Sequence, residues 1–310
     1  MIRRTLLYVC FFTILLGVPL SRLSAELNYT IIPENPRPGE PVTIAVDSAL
    51  KQAVLTRGDR QFARSMFFAI TAEIGRPGFM AAILTVPSTV NPGAAVIQLE
   101  TDWGSFYEVP IRIAGRDFRS ETIALTPALT GIRTDASPQR AVEVDRLWSI
   151  LAATGSEVFH TGRFVPPVTS TRRTSAFGSR RVFEYSDGRT DTSIHAGVDY
   201  GVPTGTEVAA SGKGRVVLAV SRITTGLSVI IEHAPGVYSI YYHLDSIAVE
   251  EGSMVEIGQL IGLSGSTGVS TGPHLHWELR INTENTDPDA FLARPIIDKD
   301  LILSRLYNID

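Results

Sequence analysis

The chain has 310 residues and a mass of 33.7 kDa, room for about two domains at roughly 150 residues each. Hydrophobic residues make up 44%, charged residues 19%, and the mean hydropathy is +0.12, which excludes wholesale disorder, a collagen-like repeat and a coiled-coil rod. The net charge is -4, and because the first 25 residues hold three arginines and no acid, the remainder carries -7; this is not the basic footprint of a nucleic-acid binder.

At the N-terminus, Arg3 and Arg4 precede an apolar run over 6–18, and small residues follow at Ser24 and Ala25. This is the pattern of a secretory signal over residues 1–25, and it places the protein in the periplasm or cell envelope. Cleavage after Ala25 leaves Leu23 at the -3 position, larger than the ideal, so an uncleaved membrane anchor stays open as the alternative. Cys10, the only cysteine, sits inside the apolar run. A chain from Glu26 onward therefore has neither disulfides nor thiol catalysis, and past Val18 no apolar run approaches the ~20 residues of a membrane span.

Over residues 26–125, short β-rich runs at 42–46, 66–70, 79–86, 94–99 and 106–113 alternate with turn signals such as Pro36-Arg37-Pro38-Gly39 and Asn91-Pro92-Gly93. This spacing predicts an immunoglobulin-like β-sandwich. It contains no histidine and is assigned no metal chemistry. A linker over 126–160 follows, with Ser137-Pro138 opening a helix over 138–154; Val144, Leu147, Trp148 and Leu151 form its apolar face, and Trp148 is expected to pack on a neighbouring domain.

From residue 161 to 295 the character changes. Sixteen of the 26 glycines lie between Gly162 and Gly272 and interrupt β-branched runs at 214–220, 227–232, 237–243, 259–263 and 274–281, which predicts a compact all-β barrel or sandwich with tight hairpins. Residues 296–310 read as a C-terminal tail. No glycine motif of a nucleotide site is present.

All six histidines fall at or after position 160. In Pro273-His274-Leu275-His276-Trp277-Glu278, strand alternation projects His274 and His276 from one face about 6.5–7 Å apart. In His195-Ala196-Gly197-Val198-Asp199, an extended segment likewise puts His195 and Asp199 on one side. Neutral imidazole and carboxylate both suit zinc, so His195, Asp199 and one histidine of the pair would leave an open fourth position, as in a catalytic site. His243 closes the run Tyr241-Tyr242-His243-Leu244 with no companion ligand; His160 and His233 have only such weak support and are left out.

Taken in order, Thr174-Ser175-Ala176-Phe177-Gly178-Ser179-Arg180, His195-x-Gly197-x-Asp199, Pro203-x-Gly205-Thr206-x-Val208-x-Ala210, Tyr242-His243-Leu244, Gly262-x-Ser264-Gly265-Ser266-Thr267-Gly268 and Ser270-Thr271-Gly272-Pro273-His274-Leu275-His276-Trp277-Glu278 resemble the lysostaphin-type, or LytM-type, zinc endopeptidases of bacterial cell walls. The resemblance covers about 164–292. It implies a small antiparallel barrel-like sandwich of the duplicated hybrid motif kind, Zn2+ held by His195, Asp199 and His276, His243 and His274 as the catalytic pair, and peptidoglycan peptides as substrate. Residues 181–194 look like the longer loop of exported members with an extra N-terminal domain. A non-catalytic LytM-type module that activates a separate hydrolase is the alternative. Since the assigned residues all lie between His195 and His276, a fragment starting near Thr161 is expected to fold and bind zinc unaided.

Overall fold

The protein is described by a computed structural model covering Ser21, Arg22 and residues 27–308. The rest of the export segment, Cys10 included, lies outside the described residues. The N-terminal part consists of β1 (Ser21–Arg22), β2 (Tyr29–Ile32), β3 (Pro41–Val46), β4 (Gln52–Arg57), β5 (Arg60–Met66), β6 (Phe68–Ile70), β7 (Phe79–Thr85), β8 (Gly93–Glu100) and β9 (Ser105–Ile113). They form a five-stranded sheet in the order β1-β9-β8-β4-β5 and a four-stranded sheet in the order β2-β3-β7-β6. Between them Ile44, Leu55, Leu84, Ile97, Leu99 and Ile113 make a shared core.

The run in β7, Phe79-Met80-Ala81-Ala82-Ile83-Leu84, shows no polar alternation because both faces of the strand are covered. Ala82 and Leu84 point into the sandwich. Phe79, Ala81 and Ile83, joined by Ala45 of β3 and by Phe68 and Ile70 of β6, belong instead to the core of the C-terminal part.

The chain continues through β10 (Ser120–Ala124), α1 (Pro127–Arg133) and α2 (Pro138–Ala152). The Ser137 hydroxyl accepts the Arg140 N–H at 3.3 Å and starts α2, the capping expected of Ser-Pro. The docked face of α2 differs from the one expected: Leu151 is buried against Leu218, Ile230 and Tyr242, Leu147 and Ile150 help cover it, and Trp148 remains 47% exposed.

The remaining elements are β11 (Arg173–Ser175), β12 (Arg180–Glu184), β13 (Thr190–Ile194), β14 (Gly197–Tyr200), β15 (Glu207–Ala209), β16 (Gly214–Arg222), β17 (Gly226–Ala234), β18 (Val237–Ile247), β19 (Met254–Val255), β20 (Leu260–Ser264), β21 (Leu275–Ile281), β22 (Glu284–Thr286), α3 (Pro288–Ala293) and α4 (Lys299–Tyr307). The spine of the main sheet is β11-β14-β21-β18-β17-β16-β19, so the all-β class expected from the strand pattern holds. Residues 181–194 are not a loop: β12 and β13 form a hairpin around Asp187-Gly188, and β10 adds to it in parallel, Glu121 opposite Arg181. Neither do residues 296–308 form a free tail, since Ile296, Ile297, Ile302, Leu303 and Leu306 are buried in the same core as Ile83 and Phe79.

Hydrogen bonds fasten this shared core. The Thr43 hydroxyl donates to the Ile296 carbonyl at 3.0 Å, Asn282 Nδ2 to the Ile83 carbonyl at 2.9 Å, and Arg116 pairs with Asp287 at 2.6 Å. Phe177 lies against Gly39, which has φ +88° and where an added Cβ would come within 2.3 Å of the ring; both the backbone and the neighbour require glycine there. Phe177→Ala should lower stability by about 3–5 kcal/mol, read as a shift in urea midpoint with unchanged slope. A shift within ~0.5 kcal/mol of wild type would mean that the ring is not a structural contact between the two parts.

Candidate active site

Strand register assembles the site. Asp199 on β14 stands opposite His276 on β21, and His276 stands opposite Tyr242 on β18. Alternation divides each strand: Val198, Tyr200, Leu275, Trp277 and Leu279 point into the core, so Asp199, His276 and Glu278 share the other face. Gly197 lies so close to β21 that an added Cβ would sit 2.1 Å from the Trp277 carbonyl oxygen. The glycine of His-x-Gly-x-Asp is thus what lets β14 approach the histidine strand.

His195 Nε2, Asp199 Oδ1 and His276 Nδ1 form a triangle with sides of 3.1, 2.6 and 3.0 Å. All three residues are buried. The opposite atoms are engaged. His195 Nδ1–H donates to the Ala176 carbonyl at 2.8 Å, His276 Nε2–H donates to Glu278 Oε1 at 3.0 Å, and Asp199 Oδ2 accepts from Arg181 Nη2 at 2.8 Å. These outer bonds fix both tautomers so that two lone pairs and one carboxylate oxygen face a common point. Tetrahedral zinc with ligand distances of about 2.0–2.1 Å would hold its donors roughly 3.3 Å apart, so the donor set fits such an ion with small movements.

The electrostatics point the same way. Burial alone would depress His276, but the Asp199 and Glu278 carboxylates outweigh it and bring it to about 9. Burial works against the Asp199 carboxylate as well, yet His276 and His195 hold it well below the usual carboxylate range. Each carboxylate is shared with an arginine, Asp199 with Arg181 and Glu278 with Arg280 at 2.9 Å, which leaves Asp199 Oδ1 and Glu278 Oε1 for the two histidines.

His243 and His274 stand beside the triangle. His243 adopts φ 62°, and its Nδ1–H donates to the Thr267 carbonyl at 2.7 Å. Burial, then the neighbouring His274 and His276, push its pKa down to about 3. His274 Nδ1–H donates to the Gly272 carbonyl at 2.8 Å, and its Nε2 lies 3.9 Å from Asp199 Oδ1. The two rings are 4.8 Å apart. A groove of about 260 Å³ runs over these groups and is lined also by Ile123, Leu125, Phe183, Thr224, Thr225 and Thr271.

His160 and His233 are elsewhere. His233 is wholly buried, with Nδ1–H donating to the Lys213 carbonyl at 2.7 Å, and burial pushes it to about 3; the His160 ring stacks on Phe164. Four residues at the site carried no assigned role in the sequence: Glu278, Ser175, Arg181 and Glu121. Glu278 was within reach, since alternation places it on the face of His274 and His276. Arg181 and Glu121 had no local signal, because they meet only where β10 joins β12.

Residues 193–288 match the model of Peptidase family M23. The chain is 41% identical over 124 residues to the DD-carboxypeptidase/endopeptidase Mpg of Neisseria meningitidis, a match covering 40% of this chain and 28% of that protein. It is 47% identical over 85 residues to the peptidoglycan DD-endopeptidase ShyA of Vibrio cholerae, covering 27% and 20%. The chain thus spans about a quarter of the length of these curated relatives. A solved structure described as an M23 peptidase from Pseudomonas aeruginosa superposes with a TM-score of 0.59 at 22% identity, over 83% of this chain and 94% of that one, a likeness of fold. With the strand register, the His-x-Gly-x-Asp segment and the His-x-His strand all falling inside the matched region, residues 193–288 of this chain are a Peptidase family M23 domain.

Proposed function

We propose that the protein is an exported, zinc-dependent endopeptidase that hydrolyses peptide bonds in the stems or cross-links of peptidoglycan. The observation that carries this reading is the convergence of His195 Nε2, Asp199 Oδ1 and His276 Nδ1 on one point, with two further imidazoles beside it in a groove. The substrate class rests on the relatives' printed activities, and the cell-envelope location on those together with the N-terminal export pattern.

His195, Asp199 and His276 would hold the metal. Zinc there would supply Lewis acidity toward a scissile carbonyl and lower the pKa of a water to near neutrality. His243 is neutral through the physiological range, and with Nδ1–H committed to Thr267 it offers only Nε2 as a proton acceptor. His274, held in the same tautomer by Gly272, likewise offers Nε2 beside Asp199. Their Nε2 atoms are the proton-accepting groups beside the ligand triangle, and in this reading they take a proton from the attacking water and deliver it to the leaving amine. In this reading the substrate peptide lies in the groove lined by Ile123, Phe183, Thr225 and Thr271.

His243→Ala and His274→Ala should each keep the metal and lose activity by roughly 100- to 10,000-fold. Metal content by elemental analysis and turnover of a short stem peptide check this; if His274→Ala lost metal as His276→Ala does, the roles within the pair would be exchanged. The proposal as a whole is tested by incubating the protein with purified sacculi of several cross-link chemistries and identifying new termini by mass spectrometry, with and without a chelator. No new amine terminus in any sacculus would favour the non-catalytic module.

A further inference from the structure

We propose that Glu121 is a positioning residue for the metal centre: through Arg181 it confines Asp199 to a single inward-facing oxygen, and so couples metal affinity to the strand that leads out of the N-terminal sandwich. The inference rests on the assignment of His195, Asp199 and His276 as ligands. Along β10 exposure alternates, with Ser120, Thr122 and Ala124 outward and Glu121 and Ile123 partly buried. The inward set faces the site, where Ile123 lines the groove. Glu121 Oε1 accepts Arg181 Nε–H at 2.5 Å and the Ser175 hydroxyl at 2.8 Å. Arg181 Nη2 donates to Asp199 Oδ2 at 2.8 Å and to Ser175 Oγ at 2.9 Å. Ser175 Oγ in turn lies 3.1 Å from His195 Nδ1. One carboxylate from outside residues 193–288 thus touches, at one remove, two of the three ligands.

Charge gives the direction of the effect. A guanidinium bonded to a ligand carboxylate drains negative charge from it and weakens its attraction for a cation. Glu121 offsets that by sharing the same guanidinium, since Arg181 spans two acids. Removing the Glu121 charge leaves Arg181 directed at Asp199 alone and free to swing, so the site both loses a compensating charge and loosens. Partners of metal ligands typically contribute 10- to 100-fold to affinity.

The test uses the full chain with Co2+ as probe, read by visible absorption, and Zn2+ by competition with a chromophoric chelator. Wild type should take up one Co2+ per chain. Glu121→Gln should bind either ion about tenfold more weakly and show an altered cobalt spectrum even at saturation, which a purely stabilising ion pair would not produce. Thr122→Ala, on the outward face of the same strand, should match wild type in both. If circular dichroism shows that Glu121→Gln does not fold, Ser175→Ala, which removes the hydroxyl shared by Glu121 and Arg181, should weaken Co2+ binding in the same direction. A folded Glu121→Gln, or in its place a folded Ser175→Ala, with wild-type affinity and spectrum overturns the inference while leaving the ligand assignment intact. Failure of the wild type to bind Co2+ or Zn2+ overturns both.

Discussion

Asp199→Ala should empty the metal centre and abolish hydrolysis. Asp199 contributes the one anionic donor of the triangle, and its removal leaves Arg181 as an incompletely paired cation next to two imidazoles. A divalent ion entering that site would meet repulsion where it had met attraction, so the loss should exceed the roughly 10- to 100-fold typical of a partner one bond further out. Asp199→Asn keeps the volume and the Oδ1 acceptor but not the charge, and should fall between wild type and alanine. Elemental analysis after gel filtration and titration with a competing chelator measure both. Full metal occupancy in Asp199→Ala would sink the ligand assignment, and with it the catalytic reading.

The second large effect concerns the N-terminal half. Although the histidines all fall at or after position 160, a fragment starting at Thr161 should not reach a native fold. Its core is completed from outside: Phe68, Ile70, Phe79, Ala81 and Ile83 pack in one cluster with Ile296, Ile302, Leu303 and Leu306, and Phe177 rests on Gly39. Uncovering apolar side chains costs about 1.5–3 kcal/mol for each one fully exposed. A handful of them rivals the 5–15 kcal/mol of an ordinary domain. The fragment also lacks β10, leaving the inner edge of β12 unpaired and Arg181 without Glu121. The expected readouts are low solubility, binding of a hydrophobic dye and a broad thermal transition. A soluble fragment with sharp cooperative unfolding and wild-type metal affinity would contradict this and restore the self-sufficient C-terminal half that the histidine distribution suggests.

The pairing of His195 with Asp199 and of His274 with His276 was legible in the residues themselves because it depends on short-range geometry, whereas the role given to His243 and the choice of His276 as third ligand came from the family resemblance. Strand alternation places His274, His276 and Glu278 on one face whatever the rest of the chain does. Ser137-Pro138 starts α2 by local capping alone, whereas the close approach of β14 to β21 at Gly197 shows only in the fold. What lay beyond reach was whatever depends on which distant segments meet. Nothing near Glu121 indicates that β10 leaves the sandwich and pairs in parallel with β12, some 60 residues on, because parallel strands are joined by a long crossover and leave no local turn signal. Likewise residues 181–194 resembled a loop and residues 296–308 a tail. The hairpin's third strand and much of the apolar cover of α4 come from segments before residue 125. Trp148 makes the point in reverse: its helical spacing is that of a core residue, but α2 rolls Leu147, Ile150 and Leu151 onto the sheet and leaves the indole half-exposed. Residue spacing put His195 with Asp199 and His274 with His276, and the resemblance alone singled out His243 and chose His276 of the pair; tertiary packing decided that Arg181 and Glu121 stand behind Asp199, since only the folded chain brings those two charges to it.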